Sequence, residues 1–152
     1  MKKIIFMLAL ISLSTTLIAQ SNKDEQAAIK KVIQTAYVEG LQNEGDLSKI
    51  DAGIHSDFNL LGIDKDGSSI WKLPIAEWKE KVKKRKEAGA YPKTGDKLVS
   101  IKFLSVDVTG TSAVAKFEFY VGKEKKYVDY ISLYKFKDGW KMVSKIYYQF
   151  PE

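Results

Sequence analysis

"YVDYISLYKFKDGWKMVSKIYYQF", residues 127–150, is the stretch that decides the fold, because it reads as a complete β-hairpin. Aromatic and aliphatic residues dominate both halves, and the Asp138-Gly139 pair between them is a turn signal typical of hairpins. Two charges interrupt this apolar pattern, Asp129 in the first strand and Lys145 in the second. The register of the hairpin decides whether these two side chains share a face.

Two registers of the hairpin are open. If Asp138-Gly139 is a two-residue turn, Asp129 faces the core and Lys145 faces solvent. If a three-residue loop over 137–139 carries a glycine bulge, one strand slips and both charges lie on one face. We prefer the two-residue turn because it separates apolar from charged side chains best. It gathers on one surface Ile131, Leu133, Trp140, Met142 and Ile146, and it places on the outer face Tyr130, Tyr134 and Tyr147.

Asp129 is the ionisable residue that the preferred register buries, beside Tyr127, Ser144 and Tyr148. A carboxylate in an apolar interior needs hydrogen-bond donors or a raised pKa, and functional sites are often built in this way. A structural aspartate, satisfied by a tyrosine hydroxyl or by helix amides, is the other interpretation. The sequence leaves both open.

The segments before the hairpin extend it into a meander. Strand-like runs cover 97–110, 112–122, 125–136 and 140–150, with short joints between them. The second run has the clearest alternation, and burying Lys116 or Glu118 without a partner would be costly. The opposite set of side chains must therefore face the core: Ala113, Ala115, Phe117, Phe119 and Val121.

Two helices and a strand precede the meander. A stripe with spacings of three and four predicts a first helix that starts near Asn22 and stops at Gly45, with Tyr37 on its inward face. A strand over 58–63 follows, and then a second helix that begins at Pro74 and ends at Gly89. Helices collected on one face of a curved antiparallel sheet make an α+β roll, and its concave face is expected to carry the helices.

The first nineteen residues have the pattern of a secretory signal peptide. Lys2 and Lys3 precede an apolar run from Ile4 to about Leu13, and small residues lead to Ala19. The run is shorter than a membrane span. We therefore expect a leader over 1–19, a single domain over 20–152, no stable membrane insertion after cleavage, and export to the periplasm or beyond.

Composition narrows the class of partner. Without Lys2 and Lys3 the excess of basic over acidic residues falls from six to four, which is not the clustered charge of a nucleic-acid-binding protein. There is no cysteine, which excludes disulfides and thiolate chemistry. No spacing typical of a metal site stands out, and we expect no cofactor. His55 is the single histidine.

The pattern as a whole resembles a known superfamily. The "HSDF" motif at residues 55–58 and the ending "DYISLYKFKDGWKMVSKIYY" are similar to the nuclear transport factor 2-like cone proteins, over about residues 24–150. Within that superfamily the chain most resembles the small, often secreted bacterial branch labelled lumazine-binding, and more distantly the SnoaL-like polyketide cyclases and ketosteroid isomerases. The resemblance implies a cone with a pocket between sheet and helices, and frequent dimerisation through the sheet.

Three hypotheses follow for the function. The leading one is an exported, non-catalytic protein that binds a small, partly aromatic molecule, with a pocket lined by Tyr37, Trp71, Trp78, Phe117, Phe119, Asp129 and Tyr148. The second is an isomerase, cyclase or dehydratase in which Asp129 is the general base and His55 or Tyr37 donates a hydrogen bond. The third, compatible with both, is homodimerisation through the outer tyrosine face of the sheet.

Overall fold

The computed structural model describes residues 22–151. The predicted leader over 1–19 therefore lies outside the described residues. Three helices are present in this part of the chain: α1 (residues 22–44, with π-helical hydrogen bonding over Ile33–Glu44), α2 (Leu47–Gly53) and α3 (Ile75–Glu87). A single 3₁₀ turn, Gly95–Lys97, precedes the meander. No helix among residues 22–151 has the length and apolar character needed to cross a membrane.

Six strands form one curved sheet that does not close. They are β1 (Ile54–Ile63), β2 (Ile70–Pro74), β3 (Val99–Thr109), β4 (Ser112–Val121), β5 (Glu124–Phe136) and β6 (Gly139–Gln149). The spatial order is β2-β1-β6-β5-β4-β3, and every neighbouring pair is antiparallel except β1 and β6, which are parallel. The predicted α+β roll is confirmed. Strand β2 was not predicted, and β1 begins four residues earlier than expected.

Helix α1 forms because its predicted stripe is buried against the sheet. Ile29, Ile33 and Tyr37 are almost completely inaccessible. Gly45 ends the helix as expected, since its φ of 62° suits glycine and its amide donates to the Gly40 carbonyl. Asp46 then starts α2 by accepting hydrogen bonds from the next two helical amides, those of residues 48 and 49.

Helix α3 packs against the same side of the sheet through a narrow stripe of Ile75, Trp78 and Val82. Pro74 is its N-cap, one position before the predicted first turn. Gly89, with a φ of 72°, follows its end as predicted. Helices α1 and α3 thus both cover the inward face of the sheet.

Strand β4 has the predicted orientation. Ala113, Ala115, Phe117 and Phe119 are buried, and Val114 on the opposite face is 46% exposed. Strand β5 continues the same arrangement, with Asp129, Ile131 and Leu133 inward.

At its turn the closing hairpin differs from both predicted registers, but from Ser132 back to Tyr127 it has the pairing of the alternative, slipped register, in which Asp129 and Lys145 share a face. Its turn residues are Lys137 and Asp138, because Phe136 pairs with Gly139 and Lys135 pairs with Trp140. Farther along, Leu133 pairs with Met142 but Ser132 pairs with Ser144, so β6 contains one extra residue. This is a β-bulge at Val143, which reverses the inward and outward alternation of every residue after it.

The bulge corrects four predicted orientations. Lys145, expected to face solvent, is 5% exposed and points inward, and Tyr147 lines the interior rather than the outer face. Ile146 and Tyr148, expected in the core, are 54% and 56% exposed. The preferred register assigned the inward face of β6 correctly only before the bulge, where Trp140 and Met142 are buried.

Polar side chains of α1 fasten the helix to both ends of the sheet. The Asn43 amide donates to the Val99 carbonyl and accepts from the Val99 amide, both at 2.9 Å. Nearer the start of the helix, Gln26 Nε2 donates to the carbonyl of Val106. Glu25 accepts a hydrogen bond of 2.6 Å from Trp140 Nε1 and pairs with Lys135. These contacts hold α1, and with it Tyr37, against the sheet.

Candidate functional site

A cavity of about 290 Å³ lies between the concave face of the sheet and the helices. Its aromatic wall consists of Tyr37, Trp78, Phe119, Tyr127 and Tyr147. Three side chains contribute polar groups to it: Gln42, Lys93 and Lys145. None of the lining residues, all within the described part of the chain, is acidic.

A buried cluster of three polar side chains lies at one wall of this cavity. Lys145 Nζ is 2.6 Å from Asp129 Oδ2, and the Tyr37 hydroxyl donates to the same oxygen at 3.0 Å. Lys145 also donates to the Tyr37 hydroxyl oxygen, so the three groups close a ring of hydrogen bonds. Lys145 and Tyr37 border the cavity, whereas Asp129 is 0% exposed and lies behind them.

Each member of the cluster comes from a different element. Tyr37 projects from the buried face of α1, and Asp129 from the inward face of β5, opposite Tyr147. Lys145 is on β6, two residues after the bulge, and pairs with Ile131 of β5. Without the reversed alternation that the bulge causes, Lys145 would point away from Asp129.

Burial dominates the electrostatics of the cluster. Desolvation raises the pKa of the Asp129 carboxyl above its ordinary value, and the ammonium of Lys145 opposes that rise. Desolvation likewise lowers the pKa of Lys145, against the attraction of Asp129. The pKa of the Tyr37 hydroxyl is raised well above its usual value, by burial first and by the Asp129 carboxylate second. Both partners of the ion pair are thus pushed toward their neutral forms.

Aromatic rings surround the amine of Lys145. Its Nζ lies 4.9 Å from the ring centre of Tyr37, 5.7 Å from that of Phe119 and 5.4 Å from that of Tyr147. Such contacts favour the cation through the negative faces of the rings. One carboxylate oxygen, Asp129 Oδ1, is buried without any hydrogen-bond partner. The site therefore holds an amine in a pocket that is otherwise mostly apolar.

The structure brings most of the predicted pocket residues together. Tyr37, Trp78 and Phe119 line the cavity. Phe117 lies beneath the wall, fully buried, with its ring centre 6.1 Å from that of Tyr37. Trp71 packs beside Tyr147, with 6.3 Å between ring centres.

Two predicted site residues lie elsewhere. Tyr148 is on the outer face of the sheet because it follows the bulge. His55 stacks on Phe136, with 4.7 Å between ring centres, and borders a separate surface depression that also includes Asp51 and Lys79. That depression shares no lining residue with the cavity. His55 therefore does not line the cavity beside Asp129, where the enzyme hypothesis needs it as a hydrogen-bond donor.

Sequence reasoning missed Lys145, Tyr147, Gln42 and Lys93 as site residues. A signal for the first two was present, since the alternative register of the hairpin places Lys145, and with it Tyr147 two residues later, on the face of Asp129. Gln42 and Lys93 come from the end of α1 and from a loop, where no periodicity applies. No group of three or more potential metal-ligating side chains occurs within residues 22–151.

Solved structures identify the class of the fold. An NTF2-like (nuclear transport factor 2-like) protein of unknown function from Shewanella baltica is 23% identical, with a TM-score of 0.66, and the match covers 85% of this chain and 96% of that one. A second NTF2-like protein of unknown function, from Silicibacter pomeroyi, is 18% identical, with a TM-score of 0.67 and coverage of 85% and 98%. A third NTF2-like protein of unknown function, from Methylobacillus flagellatus, is 21% identical, with a TM-score of 0.60, and the match covers 84% of this chain and 94% of that one. The chain therefore has the NTF2-like cone fold.

The family is narrower than the fold. Residues 24–148 match the family described as "Putative lumazine-binding", and the chain belongs to that family. No curated protein matches it. The resemblance expected from the closing hairpin is confirmed, both for the superfamily and for this branch.

Proposed function

We propose that this protein binds a small planar aromatic molecule that carries an anionic or strongly hydrogen-bond-accepting group. The observation that supports this most is the position of Lys145, which borders the cavity and whose amine lies close to three aromatic rings. Flat aromatic ligands stack on such walls, while one placed polar group fixes their orientation.

The charge of the cavity supports an acceptor on the ligand. Lys93 and Lys145 both border it, and the Asp129 carboxylate that pairs with Lys145 lies behind the wall rather than in the cavity. Burial lowers the pKa of Lys93, with Arg85 adding to the effect, so a ligand anion would relieve the cost of desolvating its ammonium. The name of the family points to the same chemistry, because lumazine is a flat ring system with carbonyl oxygens.

An enzyme with Asp129 as general base stays a prediction with weaker support. Asp129 Oδ2 already accepts from Lys145 and Tyr37, and the side chain does not border the cavity. A base must come within hydrogen-bonding reach of the proton that it abstracts. We therefore favour a binding role without catalysis by Asp129.

Export belongs to the same proposal. The leader pattern over residues 1–19 supports a periplasmic or secreted protein, with the pocket meeting its ligand outside the cytoplasm. Fractionation of cells that express the full chain, together with the N-terminal sequence of the product, tests this. Recovery of an uncleaved protein from the cytoplasm would contradict it.

Calorimetric titration with lumazine, and with benzoate as a simpler aromatic anion, tests the ligand class. At least one of the two is expected to bind in a one-to-one ratio. Substituting Val121→Trp, at a position that lines the cavity, should fill the space and weaken binding at least about tenfold, a loss of roughly 1.4 kcal/mol.

The matched control is Val114→Trp. This second valine of β4 lies on the outer face, 46% exposed, and the same substitution there should leave the affinity unchanged. Failure of both probes to bind the wild type would overturn the proposal. Equal affinity in the wild type and in Val121→Trp would show that binding occurs outside the cavity.

A further inference from the structure

We propose that Lys145 is a carbonyl-reactive amine, and that the cavity can hold an aromatic aldehyde or ketone as a covalent imine. This inference rests on the proposed pocket-binding function and adds a reactive group to it. It is carried by the position of Lys145, a residue that is 5% exposed and whose Nζ lies among aromatic rings and contacts two groups that can carry protons.

Lys145 carries the reacting atom and lines the cavity. Lys145 and Tyr37 border the cavity directly, with Asp129 behind them. A planar aromatic carbonyl compound placed against Phe119 and Tyr147 would bring its carbonyl carbon toward Nζ. Lysines that form imines in proteins are commonly activated by desolvation in an apolar pocket, which is the environment seen here.

The neutral amine needs a place for the proton that it loses. Asp129 Oδ2 lies 2.6 Å from Nζ, so one proton transfer converts the ammonium–carboxylate pair into an amine and a carboxylic acid. Burial favours this neutral pair, because it acts on both pKa values in that direction. The other groups facing Nζ are the hydroxyl of Tyr37 and the rings of Phe119 and Tyr147.

The chemistry balances without any added oxidant or reductant. The lone pair of Nζ attacks the carbonyl carbon, a C–N bond forms, and the oxygen takes the proton that the nitrogen releases, giving a carbinolamine. The hydroxyl of Tyr37, which borders the cavity, then protonates that hydroxyl and takes a proton in turn from the carboxylic acid of Asp129. The C–O bond breaks, and water leaves as the nitrogen lone pair forms the C=N bond. The product is an iminium cation beside the Asp129 carboxylate, which has the same charges as the original ion pair.

Reductive trapping on the folded wild-type protein tests the inference. The protein is treated near neutral pH with benzaldehyde and sodium cyanoborohydride, and the benzylated lysines are located by peptide mapping. Lys145 is expected to label several times faster than Lys102, because burial lowers the pKa of Lys145 and so raises its fraction of free amine. The side chain of Lys102 is 72% exposed and serves as the internal reference.

Two variants place the reaction in the cavity. Val121→Trp should slow labelling of Lys145 while leaving labelling of Lys102 unchanged, since it narrows access without touching the amine. Lys145→Met should remove the fast label. Because the wild-type map already compares two lysines of one molecule, the result does not depend on whether Lys145→Met folds.

The outcomes separate this inference from the proposed function. Labelling of Lys145 no faster than that of Lys102, or unaffected by Val121→Trp, overturns the covalent inference. Calorimetric binding of lumazine or benzoate without fast labelling overturns this inference alone and leaves the proposed function intact. Fast labelling without binding of either probe supports the reactive amine and overturns the proposed ligand class.

Discussion

Asp129 and Lys145 form an ion pair that is almost completely removed from water. Such pairs are costly to build, because desolvation of both charges offsets much of their attraction. Tyr37 reduces the cost by donating to the carboxylate and accepting from the ammonium. The pair is thus weak evidence of stability and stronger evidence of a site.

A double-mutant cycle on the pair separates these contributions. Asp129→Asn and Lys145→Met alone should each destabilise the fold by about 3–5 kcal/mol, because each leaves one charge buried without its partner. The combined variant should be close to the wild type, since the carboxamide still accepts the Tyr37 hydroxyl and the methionine fills the space. Urea unfolding at neutral pH measures all four proteins.

Additive losses in the double variant would contradict this account. They would mean that the two side chains stabilise the protein independently rather than through each other. Tyr37→Phe is the companion control, because it keeps the ring and removes the hydroxyl that contacts both charges.

The sequence predicted the inward orientation of Asp129 but not that of its partner Lys145. The inward position of Asp129 follows from the alternation of β5, which has no bulge between Asp129 and Leu133. The position of Lys145 does not follow from alternation, since one extra residue between Met142 and Ser144 reverses it. Local patterning cannot reveal a bulge that depends on neighbouring strands.

The pairing of strand β1 with β6 accounts for the position of the bulge in β6. It joins β6 in the parallel direction, with Ile54 opposite Met142 and Asn59 opposite Ser144, so the pairing is irregular in both strands at the same place. The antiparallel meander and the two amphipathic helices were predictable because the spacing of apolar residues within each element indicates its type. The parallel junction and the five-residue strand β2 depend on contacts between segments distant in sequence.

Glu25 makes the contact that ties the start of α1 to the β5–β6 hairpin. Hydrogen bonds from Lys135, and next from Trp140, lower the pKa of its carboxyl below the ordinary value. The ionised form is therefore favoured by folding, and its contribution is present above the unfolded pKa of about 4.3 and lost as the pH falls through the lower folded value.

Glu25→Gln should cost about 1 kcal/mol at neutral pH, because the amide still accepts from Trp140 but no longer pairs with Lys135. The difference from the wild type should shrink toward zero in acid. Unfolding in urea at both pH values measures it. Glu87→Gln, at the end of α3, is the control and should change the stability by less than about 0.5 kcal/mol. A deficit that persists unchanged in acid would contradict the assigned ionic contribution.

The outer face of the sheet is unusually apolar for an exposed surface. Tyr130 and Ile146 are opposite each other in the ladder, and both are exposed, at 36% and 54%. Tyr134, Tyr148 and Val114 extend the patch on neighbouring positions. We propose that a second copy of the chain covers this face. The predicted dimer surface is kept, but with Ile146 and Tyr148 in place of Tyr147.

Light scattering after size exclusion should give a dimer for the wild type and a monomer for Ile146→Lys, since a charge placed in the centre of the patch cannot be buried without a partner. Ile63→Lys is the matched control. Ile63 is 73% exposed but lies at the tip of the β1–β2 hairpin, so the substitution should leave the dimer intact. A wild type that stays monomeric at high concentration would overturn this proposal.

The contacts of Asn43 and Gln26 with β3 have a consequence for the behaviour of the chain in concentrated solution. Strand β3 is an edge strand of the sheet, and the unpaired main-chain groups of an edge strand can pair with strands of other molecules. Both main-chain groups of Val99 and the carbonyl of Val106 are already occupied by amides of α1. An incoming strand could not pair with these three groups without displacing the side chains of Asn43 and Gln26, so α1 shortens the part of β3 that another chain can use.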